Sequence, residues 1–393
     1  MPGSVIVSSA RTPIGKLSGA FASLTAMDLG GFAIKGALER GGVGPEQVDY
    51  VIMGHVLQAG QGQITARQAA AKAGIPMSVP ALTVNKVCLS GINAIYLADQ
   101  MIQSGDAEVV VAGGMESMTQ APYILGGARA GYRMGNAEML DSLIHDGLWC
   151  AFDMEHMGTG TQRYANEREV SREAQDDLAA KSHERAAAAI KEGRFADEIV
   201  AVEIPQRRGD PLLVDTDEGV RPGTTLESLG AHKPAFHKEG TITAGNASQI
   251  SDAGAALVMT SREKAEELGL TPIAELLSYG MVAGPDPSLL HQPSRAIKAA
   301  LEPIDTKVKD LDLLEINEAF AAVGVASMRD LGVSDDIVNV NGGAIALGHP
   351  VGMSGARIVM TLINELRRRG GGTGAAALCG GGGQGDAAIV RSL

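Results

Sequence analysis

The sequence predicts an α/β protein made of two similar halves with a long irregular excursion between them. Three observations carry this reading. Unbroken apolar runs alternate with helical patterns from Val5 to Gly114. The same rhythm returns after residue 250. Between them, residues 119–249 mix Met, Tyr, Gly, Asp and His without a period. Apolar strands that lack polar alternation belong to a sheet covered by helices on both faces.

The elements follow in order. Val5–Ser9 reads as a strand, and Thr25–Arg40 as a helix stopped by Gly41-Gly42. Val48–Gly54 is a strand, Ile64–Lys72 a helix, and Leu82–Val87 a strand with Cys88 at its exit. Ile92–Ile102 is helical, and Glu108–Ala112 is a strand ending in Gly113-Gly114. In the excursion, Ser171–Glu192 is a charged helix opened by a capping-box pattern. Afterwards come strands at Ala253–Thr260, Ile273–Ala283, Leu313–Glu315, Ile337–Val340 and Thr373–Cys379. Helices are expected at Arg262–Leu268, Ser294–Ala300, after Asn317-Glu318-Ala319-Phe320, and at Gly355–Arg369. Each half places an Asn-marked strand, a turn with a reactive-looking residue, a helix, and a strand ending in a glycine cluster in the same order, as a duplicated unit does.

Composition narrows the function. The 393 residues carry a net charge of −13, which argues against a nucleic-acid footprint but leaves room for a local anion pocket. There are 51 glycines, and they cluster where apolar runs stop, as tight turns and close backbone approaches do. No apolar run approaches the roughly 18 residues of a membrane-spanning helix. The three cysteines, at positions 88, 150 and 379, form neither a disulfide framework nor a CxxC metal pattern. That usage fits a reducing compartment. No secretory signal is visible in MPGSVIVSSARTPIG, and the expected location is the cytoplasm.

Four stretches invite chemistry. In NKVCLSG, Cys88 precedes a helix, whose dipole favours a thiolate; a buried filler thiol is the competing reading. In NGGAIALGHPVGMSG, His349 stands on a stiff turn between Gly348 and Pro350. In CGGGGQG, Cys379 leads a loop of backbone donors able to hold an oxyanion. A dinucleotide fingerprint is excluded there, because only eight residues remain after Gly385, too few for a βαβ unit. In NEAF, Asn317 is either a helix N-cap or the holder of a water or a carbonyl.

Taken with GGMESM (113–118) and GNAS (245–248), these stretches resemble the signatures of the thiolase family, in the family's order and from end to end of the chain. The resemblance implies two βαβαβαββ halves in a layered αβαβα arrangement with an inserted loop domain. The halves would be 1–118 plus 250–270, and 271–393, with 119–249 covering coenzyme A. It implies acyl transfer through an enzyme thioester, nearest the short-chain branch that makes or splits acetoacetyl-CoA. Cys88 would be the nucleophile, His349 its base, and Cys379 the second acid/base. Asn317 would fix a water, and the N–H groups of Cys88 and Gly380 would hold the tetrahedral oxygen. Matching coenzyme A contacts are Leu148, His156, Met157, Arg221, Phe236, Ala247, Ser248 and Phe320, with Met157 and Phe320 walling the acyl pocket. No metal or redox cofactor is implied; acyl-CoA and CoA are substrates, and the family's assemblies are dimers or tetramers.

One departure stands out. Leu89 occupies a position where many members carry Ala or Gly, which bears on acyl-chain preference. A broader 3-ketoacyl-CoA thiolase is therefore the alternative, and a non-catalytic acyl-CoA binder is a third reading that Cys88, His349, Cys379 and Asn317 together oppose. Cys150 has no implied role.

Overall fold

A computed structural model describes residues 4–206 and 208–393 of the chain. The first half runs β1 (Val5–Arg11), β2 (Gly15–Lys16), α1 (Ala26–Gly41), β3 (Tyr50–Gly54), α2 (Thr65–Lys72), β4 (Ala81–Val84), α3 (Ser90–Ser104) and β5 (Val109–Ser117). The excursion holds β6 (Tyr123–Leu125) paired with β7 (Met139–Asp141), and β8 (Trp149–Cys150) paired with β9 (Glu155–His156). It continues with α4 (Met157–Glu167), α5 (Arg172–Lys191), the β10–β11 ribbon (Val202–Ile204, Leu212–Val214) and α6 (Leu226–Gly230). The remainder is β12 (Ser251–Thr260), α7 (Arg262–Glu267), β13 (Ala274–Ala283), α8 (Gln292–Leu301), β14 (Leu313–Ile316), α9 (Ala321–Leu331), α10 (Ala344–Leu347), α11 (Ser354–Arg368), β15 (Gly372–Gly380) and β16 (Gln384–Ser392).

Local chemistry sets the helix ends. The Thr25 hydroxyl accepts the Asp28 N–H, and Asp28 accepts the Thr25 N–H at 2.9 Å, so α1 opens with a reciprocal box. Gly42 closes it at φ 66°, a left-handed cap that glycine adopts without strain. At α5 the expected box is only half present: Ser171 accepts the Ala174 N–H, and alanine has no side chain to answer with.

The duplication is visible in strand order. One ten-stranded sheet runs β14-β15-β16-β13-β1-β12-β5-β3-β4, with β2 beside β12. In the first half, β4 and β5 flank β3 in parallel, and β12 and β1 follow antiparallel. In the second half, β15 lies parallel to β14, and β16 and β13 follow antiparallel. The partner that β4 is to β3 survives at β14 as a single parallel bridge, Leu314 to Val338. The expected strand Ile337–Val340 is thus reduced to one bridge: a 3₁₀ turn occupies Asp335–Ile337, and Asn339 turns the chain at φ 47°. The last nine residues before Leu393 form β16, which periodicity did not signal because Gly385, Asp386, Ala387 and Ala388 blur it.

The halves meet edge to edge through Val5–Glu275 and Ile6–Ala274, and the sheet wraps α3 and α11. These two helices touch each other and strands of both halves, giving a shared central core that includes Ile92, Ile95, Ile358 and Leu362. Helices α1 and α2 cover the outer face of the first half, and α8 covers that of the second. The result is a layered α/β arrangement. At its centre bare backbones come together. A Cβ on Gly91 would lie 2.8 Å from Ala356 N, and one on Gly54 would lie 2.7 Å from Gly352 O.

Gly91→Ala tests this seam against helix propensity. Propensity alone would stabilise α3 by about 1 kcal/mol. The backbone clash should instead destabilise the protein by about 1–3 kcal/mol, lowering the thermal midpoint. Gly126→Ala, whose Cβ meets nothing within 4 Å, should leave the midpoint in place. A Gly91→Ala midpoint at or above the parent's would remove the seam argument.

Candidate active site

The turn that presents Cys88 is over-determined by hydrogen bonds. Strand β4 stops at Val84, earlier than the apolar run predicts, because Val87 takes φ 51°. Ser90 Oγ accepts the Lys86 N–H at 2.8 Å and donates to the Val87 carbonyl at 2.6 Å. Asn85 Oδ1 accepts the Val87 N–H at 3.1 Å. Lys86 reaches across to the other half, where its Nζ lies 2.9 Å from both oxygens of Asp386 on β16. Cys88 is buried at this turn, and Leu89, fully buried, packs under Gly380: a Cβ there would lie 2.5 Å from Leu89 Cγ.

His349 is fixed at both ends. Its N–H donates to the Gln249 carbonyl at 2.9 Å. Its Nδ1 lies 2.6 Å from Ser354 Oγ, and that hydroxyl donates its one proton to the Pro350 carbonyl at 2.9 Å. Ser354 can therefore only accept from His349, so Nδ1 carries the hydrogen and Nε2 presents a lone pair. Nε2 is buried without a partner. Burial first, and then the Arg357 charge, hold the imidazole down to about 4, so it is neutral near pH 7.

The second thiol and Asn317 sit on neighbouring strands. Cys379, in β15, is buried close enough to Cys88 for the charge of one to oppose ionisation of the other. The Asn317 N–H bonds the Ala377 carbonyl at 3.0 Å, two residues from Cys379. The cap position of α9 is Phe320, so the N-cap reading of Asn317 fails. Both polar atoms of its amide are buried without partners. Glu318 beside it is locked by Ser182, Asn339 and the Ile345 N–H.

One expectation needs correcting. Burial overrides the helix dipole and pushes the Cys88 thiol up to about 12, with Cys379 also pushed up. Besides its own N–H, that of Gly381 favours the Cys88 thiolate. Gly380 is still in the β15–β16 ladder opposite Gln384, and the chain turns only beyond it.

Most of the expected coenzyme A positions form one wall. His156 stacks on Phe236 with ring centres 5.0 Å apart, and Phe236 meets Phe320 edge-on at 6.2 Å. Ala247 bridges Phe320, and the Ser248 N–H donates to the Ala319 carbonyl at 3.1 Å. Met157 Cε approaches the bare Cα of Gly381, where a Cβ would lie 2.5 Å from it. Arg221 stands apart. It is exposed on a cavity of about 250 Å³ shared with His183, Ser228, His232 and Gly245, which adjoins that wall through the 245–248 segment. Leu148 is half-buried at the end of a π-helical turn, Leu143–Leu148, against the central core. Cys150 is buried, with Sγ accepting the Asp153 N–H at 3.4 Å.

Sequence reasoning missed Ser354 and Glu116. Glu116, fully buried, accepts the N–H groups of Val56, Leu57 and Gly352, pinning the His349 loop to the first half. The serine five residues after His349 was a readable signal; the reach of Glu116 was not. Among the described residues no group of three or more His, Cys, Asp or Glu is arranged to hold a metal, and no helix is long and apolar enough to cross a membrane.

The comparisons agree with this geometry. The family description "Thiolase, N-terminal domain" matches residues 4–263, and "Thiolase, C-terminal domain" matches 270–392. The chain is 56% identical over 392 residues to a probable acetyl-CoA acetyltransferase of Mycobacterium tuberculosis, covering all of both. It is 53% identical over 387 residues to an acetyl-CoA acetyltransferase of Cupriavidus necator, covering 98% of each. The crystal structure of the Bacillus anthracis acetyl-CoA acetyltransferase superposes with a TM-score of 0.97 at 42% identity, covering 100% of this chain and 99% of that one. The chain belongs to the thiolase family. It is an enzyme, an acyltransferase of that family's kind.

Ser354→Ala should leave the fold intact and free the His349 ring to change tautomer. A loss in kcat/KM of about three- to tenfold is expected, the net worth of one hydrogen bond. Unchanged kinetics would show that Ser354 does not orient the base.

Proposed function

We propose that this enzyme joins two molecules of acetyl-CoA into acetoacetyl-CoA and CoA, and runs the reverse thiolysis, through an acyl-Cys88 intermediate. The observation that carries the mechanism is the anchored, neutral His349 with an unpartnered Nε2, beside two buried thiols that oppose each other's ionisation and an Asn317 amide buried without partners. The names of relatives at 53–56% identity support the two-carbon acyl group.

Cys88 Sγ attacks the thioester carbonyl while its proton passes to His349 Nε2. The tetrahedral oxygen faces the N–H groups of Cys88 and Gly381. It collapses, the CoA sulfur leaves, and the Cys379 proton neutralises it. The site then holds a Cys379 thiolate and an imidazolium, each stabilising the other in a dry pocket. That thiolate, with its high proton affinity, removes a proton from the methyl of the second acetyl-CoA. The enolate oxygen is held by His349 Nε2–H and a water on Asn317. The carbanion attacks acyl-Cys88, and the released sulfur recovers its proton from His349. No metal or redox cofactor enters these steps.

The same reading assigns 1–118 with 250–270 and 271–393 to the two halves, and 119–249 to the part that covers coenzyme A. His156, Met157, Phe236, Ala247, Ser248 and Phe320 face the acyl-pantetheine, and Arg221 and Leu148 lie further out. The β6–β7 hairpin exposes Tyr123, Leu125, Met139 and Leu140, which supports a homo-oligomer, dimer or tetramer. Three free cysteines support a cytoplasmic location.

Acetyl-CoA incubated with a Cys379→Ala variant should leave an acetyl group on the Cys88 peptide, read by mass spectrometry. Cys88→Ala should carry no label and no activity; label elsewhere would refute the nucleophile. Acetoacetyl-CoA should be cleaved faster than a medium-chain 3-ketoacyl-CoA, and the opposite preference would favour the fatty-acid-degrading reading. Because His349 is held near 4, protonation removes the base only well below the ordinary histidine range. The acid limb of kcat/KM should therefore fall below pH 6; a limb at about 6.5 contradicts the assignment.

A further inference from the structure

Arg357 is a buried cation that the steps above do not use. It lies on α11 three residues after Ser354, so the two share a helix face. It is 1% exposed, and its Nη1 lies 2.9 Å from Glu315 Oε2. Its Nη2 is buried with no partner. Glu315 sits in β14 two residues before Asn317. The guanidinium thus ties the helix that holds His349 to the strand that leads into Asn317.

We propose that Arg357 is a positioning residue for the reaction: it locks α11 to β14 beneath the site and fixes a positive charge on the helix face that carries Ser354, the partner of His349. The inference rests on His349 being the base. Removing one partner of a buried pair leaves the other unsatisfied, so Arg357 also carries stability. Its place between the helix of Ser354 and the strand of Asn317 gives it a role beyond that stability.

The other charges nearby do not replace it. Glu315 and Glu318 face Arg357 from the β14 end, and Glu198, itself bound to Arg11 of β1 at 2.9 Å, faces it from the excursion. Glu116 of β5 accepts the Gly352 N–H in the His349 loop and opposes ionisation of Cys88. The thiols of Cys88 and Cys379 stay protonated. Burial lifts the Glu315 carboxyl in spite of Arg357, so acidification protonates it and leaves the Arg357 charge standing. Arg357 is the charge that acts on His349.

The test compares the parent with Arg357→Met and Arg357→Lys. His349 is titrated directly by NMR of labelled imidazole, and kcat/KM is followed against pH. Arg357→Met should raise the His349 titration and the acid limb together by about one pH unit, the effect of a single charge through an effective dielectric near 20. Its thermal midpoint should fall, because Glu315 loses its partner; the NMR titration, read on the folded protein, separates that loss from the charge effect. Arg357→Lys should keep both within a few tenths of a unit, because the charge remains. An unmoved NMR titration in Arg357→Met overturns the inference. An NMR shift without a shift of the acid limb leaves the charge effect standing but refutes His349 as the base, and with it the role of Arg357 in the reaction. Should Arg357→Met fail to fold, Arg357→Gln, uncharged but still able to donate to Glu315, gives the same reading.

Discussion

The site depends on a contact between main chains. Gly54, Gly91 and Gly114 of the first half and Gly352 and Gly355 of the second bring β3, α3, β5 and the His349 loop together without intervening side chains. Only residues lacking a Cβ permit that separation. Glu116 then joins the layers by accepting N–H groups from both. A nucleophile on one half and a base on the other thus share a rigid frame, although their sequence positions are far apart. Catalysis through positioned groups requires this kind of frame, because a small displacement of the base forfeits most of its effect.

Burial sets the electrostatics of the pocket, and it acts against charge everywhere. It holds His349 low and both thiols high, so the resting site is neutral. The site stores no pre-formed thiolate; charge appears only when substrate supplies somewhere for it to go. A resting thiolate would be exposed to stray electrophiles and oxidants, so a neutral rest state also protects the nucleophile.

Much of this was legible in the chain. Apolar runs and glycine stops located most strands, since a strand buried on both faces leaves an unbroken apolar signature. Cys88, His349 and Cys379 stood out because reactive side chains close to glycine-rich stretches have few structural uses. The failures have physical causes. β16 is built from small residues whose burial comes from its neighbours β13 and β15, not from its own pattern. The sign of the Cys88 shift turned on depth of burial, which a helix-start motif does not report. Ser354, Glu116 and Arg357 act through contacts that only the folded chain creates.

Leu89 and Gly380 belong to different halves yet share one volume, the leucine side chain filling the space that a Cβ at 380 would need. The two positions therefore cannot drift independently. A lineage that gains a side chain at 380 must first shrink residue 89, and one that keeps the leucine is committed to glycine across the sheet. A side chain at 380 is thus the second step of a two-step path whose order is set by sterics.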